Sequence, residues 1–223
     1  MTQPSTPQFE LPGKWGRINL ASELTIQRSI RQVVDEVTVR RDDLATPRAE
    51  MRRRFQKAAE LAREGGATDF YVAFNIVPGI PLPAWIAVFL PRVGEAELKE
   101  IGAGALVDFL DKGMSGWSGD DADVRPGVPA GDDAIHAVRH SWRRVRDIVE
   151  GEVEQRFEFV EADYWIAARE PERIALLTCS TALADYEEEM LALFDAIVST
   201  LRWPVDAAIS TLVRPDPTEA VSL

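Results

Sequence analysis

The sequence predicts an α+β protein: one antiparallel sheet with helices on both faces, an α/β/α sandwich. Three observations carry this. The runs 69–78 (DFYVAFNIVP) and 84–90 (AWIAVFL) are β-prone and flank the turn-forming link Gly79-Ile80-Pro81-Leu82-Pro83, as an antiparallel pair would. Helical patterns gather before and after the strands in the order strand, helices, antiparallel strands, helix, which one sheet with packed helices satisfies most simply. The third is the close of the chain, Tyr164 to Trp203, which reads as strand, tight turn, strand and amphipathic helix.

That closing stretch is the most informative. Tyr164–Ala168 is short and aromatic, and 169–173 (REPER) is a polar break with a proline. Ile174–Thr178 is almost wholly apolar, the pattern of a central strand covered on both faces. Asp185 with Glu188 three residues on fits a capping box, and Glu187 and Glu189 add negative charge where the helix dipole favours it. Met190, Phe194, Ile197 and Leu201 fall on one helical stripe, widened by Leu191, Leu193 and Val198. Arg202 suits the C-terminal end, and Pro204 stops the helix.

The rest follows in order. Trp15, Ile18 and Leu20 suggest a first strand after the Leu-Pro-Gly turn. A helix is expected over 23–35, although its valines also suit a strand. A second helix opens at Thr46-Pro47, carries the stripe Met51, Phe55, Ala58/Ala59 and Ala62, and ends at Gly65-Gly66. A third is expected over 94–110, followed by a loop from Lys112 to Asp133 rich in Gly, Asp and Pro. Strands are expected over 134–147 and 151–160; in the latter Val153, Gln155, Phe157 and Phe159 share one face. The domain limits are a loose N-terminal tail over 1–8, one domain over 9–203 and a C-terminal tail over 204–223.

Bulk properties narrow the function classes. The formal net charge of −12 argues against a general nucleic-acid binder. It is unevenly spread: residues 1–65 carry 12 basic and 9 acidic side chains, the remainder 13 and 28. Cys179 is the single cysteine, which excludes an internal disulfide and fits a reducing, cytoplasmic compartment. No apolar run reaches the roughly 18 residues of a membrane span. Met1–Gln8 lacks the basic start and apolar core of a secretory signal.

The opening 11–20 (LPGKWGRINL), the strands 70–78 and 85–90, and the close 174–203 together resemble the PsbP-like α/β/α sandwich family. In that family a last strand ending in small polar residues runs into a helix with a Phe-x-x-Ile-x-x-x-Leu stripe, matched here by Phe194, Ile197 and Leu201. The long helix over 47–64 departs from the pattern. The resemblance implies a non-enzymatic class: accessory subunits, release factors for a small GTPase, bacterial lipoproteins and adaptors that hold secretion effectors. The chain has no lipoprotein signal or lipidation cysteine, so the adaptor is the expected role.

Chemistry-bearing residues support that expectation. His136 and His140, the only histidines, share a face, but no cysteine or carboxylate stands beside them at ligand spacing, and a surface or half-buried place is expected. His140-Ser141 with an aspartate makes a triad only on paper, since no G-x-S-x-G marks a nucleophile. Cys179 closes an apolar run and is expected buried and inert. Gly102 and Gly104 suit close helix packing rather than a dinucleotide loop. Asp120, Asp121, Asp123, Asp132 and Asp133 lack EF-hand spacing. No catalytic residue, cofactor or metal ligand is expected.

The reading is a cytoplasmic, non-catalytic protein-binding module: an adaptor, chaperone or immunity-type partner, with a secretion role and a homodimer in view. Its alternatives are a small-molecule binder or hydrolase with an unmarked pocket, and a structural subunit of a larger assembly. The contact residues expected are Ile80, Leu82 and Trp85 on a proline-stiffened hairpin, Trp117 in the Gly-rich loop, and Arg139 and Arg143 in a basic cluster. For the hairpin, packing in the chain's own core is the competing reading. For Arg52–Arg54 and the 139–146 arginines it is pairing with the chain's own acids.

Overall fold

The computed structural model describes residues 6–37, 45–76, 80–91, 105, 108, 112, 123–126, 128–131, 134–150, 153–168 and 173–203. Among them, seven strands form one sheet: β1 (Lys14–Asn19), β2 (Ala67–Asn75), β3 (Ala84–Phe89), β4 (Asp123–Pro126), β5 (Ala134–Glu150), β6 (Val153–Ala168) and β7 (Arg173–Thr181). Their spatial order is β1-β2-β3-β7-β6-β5-β4, and every neighbouring pair is antiparallel. The helices are α1 (Glu23–Val37), α2 (Ala45–Glu64) and α3 (Glu187–Ser199). The predicted α+β class is the observed one. The expected 94–110 helix lies outside the described residues, apart from helical positions at Ala105 and Asp108.

β3 divides the interior. Ala84, Ile86 and Val88 join a core with Phe194, Ile197 and Val198 of α3. The alternate residues Trp85, Ala87 and Phe89 join a second core with Ile26, Ile30 and Val34 of α1 and Phe55 and Ala59 of α2. Because successive strand residues point to opposite faces, α3 packs on one face and the α1–α2 pair on the other. β7 sits in the middle of the sheet, and Ile174, Ala175, Leu177 and Cys179 are buried, as its apolar run requires. The stripe of α3 is likewise buried, from Met190 through Phe194, Ile197 and Val198 to Leu201.

Four expectations change. The two strands expected at 151–160 and 164–168 are one, β6, in which Glu161 is buried within the sheet. β4 lies inside the stretch read as a loop and pairs with β5. The capping box does not form: a 3₁₀ turn over Ala184–Tyr186 takes up Asp185, and Tyr186 caps α3 with no side-chain hydrogen bond. Glu187, Glu188 and Glu189 still occupy the first turn, where the dipole welcomes them.

The fourth concerns Arg202 and the inner end of the N-terminal tail. α3 ends at Ser199, and Arg202 does not cap it but exchanges backbone hydrogen bonds of 2.8 and 2.7 Å with Gln8. Glu10 N–H adds a 2.8 Å bond to Thr200 Oγ1, and the Phe9 ring meets Tyr71 edge-on at 5.1 Å. The inner end of the expected N-terminal tail is thus fastened to the domain, and residues 204–223 lie outside the described residues.

Candidate protein-binding surface

The structure separates the six residues singled out from the sequence. Leu82 is buried, donates its N–H to Phe74 O and is core rather than contact surface. The physical reason is an isolated bridge between Asn75 and Pro81, which folds the link back onto the end of β2. Trp85 is half-buried with its ring 5.7 Å from Phe70. Ile80 alone of the three stands in solvent, at 63% exposure. Trp117 lies outside the described residues.

Arg139 is buried, not a surface cation. It faces α3, where its Nη1 donates to Asp195 Oδ2 at 2.7 Å, and Asp123 approaches its Nη2 at 3.4 Å. Arg143 is exposed and ties the first turn of α3 to β5 and β6: its guanidinium bonds Glu187 at 2.7 Å and Glu158 at 3.3 Å. In α2, Arg52 pairs with Asp35, and Arg53 and Arg54 pair with Glu50, so that basic run meets the chain's own acids.

Arg143 also marks where the sheet narrows. The last β6–β7 pair is Val160 with Thr181, and the last β4–β5 pair is Asp123 with Ser141. The β5–β6 ladder continues from Arg143 opposite Val160 to Glu150 opposite Val153. Residues 143–150 and 153–159 therefore form a two-stranded arm, about 25 Å long at strand rise. Among the described residues no strand flanks it.

The two sides of the arm differ. One bears Arg143, Val145, Asp147, Arg156 and Glu158, with Val145 exposed. The other bears Trp142, Arg144, Arg146, Phe157 and Phe159. Here the Phe157 and Phe159 rings lie 6.5 Å apart, Arg144 stands 5.9 Å over Trp142, and Arg146 stands 5.4 Å over Phe159. Both guanidiniums also reach the buried carboxylate of Glu161, at 3.3 and 2.6 Å. A lone two-stranded ribbon is marginal in water. The Glu161 clamp and the Arg143–Glu187 pair brace its base, and the cation–π contacts stiffen it.

Inward from the arm a polar row crosses the same face. His140, Asp163 and Thr178 stand opposite one another on β5, β6 and β7, and Trp142, Glu161 and Ser180 form the next rung. His140, Glu161 and Ser180 are buried, which corrects the surface or half-buried place expected for His140: its strand lies inside the sheet. Burial pushes the Asp163 carboxyl above its usual range, and the Glu161 charge pushes the same way. A hydrogen bond with Thr178 and the charges of His140 and Arg144 oppose the shift. Ser141 lies on the face opposite His140 by strand alternation, and β6 separates Ser180 from His140. The His136 side chain is outside the described residues. Cys179 is buried among the α3 contacts, and burial raises its thiol well out of the reactive range.

No family model matches the chain, and no curated protein matches it. Among solved structures it is similar to LpqN of Mycobacterium tuberculosis, a protein described as involved in cell envelope biogenesis. The similarity covers 89% of this chain and 84% of that one, at 10% identity and a TM-score of 0.31, which is too low to bear on fold or function here. No described helix is long and apolar enough to cross a membrane.

Proposed function

We propose that this chain is a non-catalytic protein-binding module, an adaptor, chaperone or immunity-type partner, and that it docks through the β5–β6 arm. The observation that carries this is the continued β5–β6 pairing beyond both flanking strands. A ribbon that leaves its sheet offers two faces and a free strand edge to another chain. Aromatic rings and arginines on it are the residue types that anchor interfaces, and Val145 adds exposed apolar surface. Burial of Leu82 moves the docking element from the 76–90 hairpin to this arm. A cytoplasmic setting and a secretion-related role belong to the same proposal. The lone cysteine supports the former, and the resemblance of the sequence over 174–203 to the PsbP-like pattern supports the latter.

The test compares the full chain with the Val145→Glu, Phe157→Ser double variant as baits in native extract. A stoichiometric protein held by the wild type and lost from the variant is expected. Equal capture by both, or by neither, overturns the arm as docking element.

A second reading, a small-molecule binder or hydrolase, has one observation in its favour: the strand register that sets buried His140 opposite half-buried Asp163. His140→Gln, which keeps hydrogen-bonding capacity, would abolish ligand binding or turnover on that reading. Unchanged binding in a folded variant removes it.

A further inference from the structure

One side of the arm's base offers hydrogen-bond donors and no free acceptor. We propose that Trp142, Arg144 and Arg146 form a carboxylate-binding face, and that its occupant is a Glu- or Asp-rich segment of another protein. The inference rests on the arm being the docking element and names the chemistry of its partner.

The strand register puts Trp142, Arg144 and Arg146 of β5 on one side, opposite Glu161, Phe159 and Phe157 of β6. The Arg144 and Arg146 side chains are 49% and 47% exposed, and Glu161 beneath them is buried. Among the described residues, the hydrogen bonds and ion pairs of both guanidiniums go to Glu161 alone. One carboxylate thus answers two cations, and a surplus positive charge remains at the base of the arm. Burial disfavours the charged form of Asp163, one row inward, which preserves the surplus. Arg143, Asp147, Arg156 and Glu158 lie on the other side of the arm.

The exposed atoms select the partner. A guanidinium carries five N–H donors and no acceptor, and an indole such as that of half-buried Trp142 is a donor only. A ligand that brings acceptors and negative charge satisfies such a face. A carboxylate fits best, since it meets a guanidinium through two parallel hydrogen bonds. The donors are also held in place before binding. Glu161 grips both guanidiniums from below, while Arg144 stands 5.9 Å over Trp142 and Arg146 5.4 Å over Phe159. Less side-chain entropy is then lost when a partner docks. Two guanidiniums at one spot suit a short acidic segment, whereas a nucleic-acid backbone asks for a row of cations.

Two-dimensional NMR of the full chain, titrated with N-acetyl penta-L-glutamate amide and separately with its penta-L-glutamine analogue, tests this. The acidic peptide is expected to shift the Trp142 indole N–H and the Nε–H signals of Arg144 and Arg146, and the neutral one to leave them in place. Arg144→Gln and Arg146→Gln should each weaken binding about threefold or more. Each leaves Glu161 one guanidinium, so the fold persists. Arg143→Gln, on the other side of the arm, should leave binding unchanged. No shift at the three donors overturns the inference. So do equal shifts at Arg28 and Arg31, exposed on α1, which mark unspecific attraction. Unchanged binding by both glutamine variants, or tighter binding of a short oligothymidylate than of the acidic peptide, overturns it as well. An inert acidic peptide, together with extract capture that the Val145→Glu, Phe157→Ser variant loses, leaves the proposed function standing. Peptide binding at this face, together with equal capture by both baits, removes that function and keeps the carboxylate site.

Discussion

Asp195 of α3 receives two buried donors from the sheet beneath it: Arg139 Nη1 at 2.7 Å and the Tyr164 hydroxyl at 2.8 Å. Arg139 is on β5 and Tyr164 opposite it on β6, so one carboxylate fastens the helix to two strands. Burial raises the Tyr164 hydroxyl well above its ordinary range, which keeps it a neutral donor. Removing one member of a buried, hydrogen-bonded charge pair strands the other. Asp195→Ala is therefore expected to cost about 3 kcal/mol in urea unfolding. The apolar pair Arg139→Met with Asp195→Leu should cost clearly less than Asp195→Ala alone, because no charge is left uncompensated.

Phe194 is fully buried at the centre of the α3 stripe. Phe194→Ala is expected to cost about 3–5 kcal/mol from lost burial and the cavity left behind. Leu193→Ala, one position round the helix and only half-buried, should cost distinctly less. Comparable unfolding midpoints for the two variants would contradict the placement of the stripe.

Asp163 predicts a pH dependence with a definite sign. Its carboxyl is raised chiefly by burial, so the folded state holds the proton more tightly than the unfolded chain does. The associated stability is fully present below the unfolded value and is lost as pH rises through the folded one. Asp163→Asn fixes a neutral group that can still accept from Thr178. Its thermal midpoint should exceed the wild type's at mildly alkaline pH, and the gap should close toward acid. A gap that widens toward acid would contradict the assigned direction.

Gly131 has φ of +72°, and a Cβ there would lie 1.8 Å from the Leu201 carbonyl oxygen. Both the backbone conformation and the close approach require glycine. Gly131→Ala should destabilise the domain by about 2 kcal/mol or more, read as a loss of thermal midpoint. Gly66, with φ of +89° and open space around it, should tolerate alanine with a smaller loss, from backbone strain alone.

The ease of reading each element from sequence tracks how local its cause is. β7 and α3 were legible because an apolar run bounded by breaks, and a stripe at 3.6-residue spacing, need no knowledge of the rest of the chain. β4 was not, since Asp123–Pro126 has no periodicity and exists through its pairing with β5. The continuity of β6 depends on residues apart in sequence, since Glu161 is held within the sheet by Arg144 and Arg146 of β5. The burial of Arg139 likewise depends on Asp195, 56 positions away. The arm is a difference in strand length: β5 and β6 have 17 and 16 residues, β7 has nine. The alternating pattern of 153–159 was visible, but which strand would stop beside it was not.

The docking role of the arm is tested most directly by placing a photo-activatable residue at Val145 and, as a control, at Leu24 on α1. Both positions are exposed, at 45% and 74%. Irradiation in native extract is expected to give a discrete protein adduct from Val145 and none from Leu24. Adducts from Leu24 alone, or none from Val145 in a folded protein, would contradict the arm as the surface this chain uses.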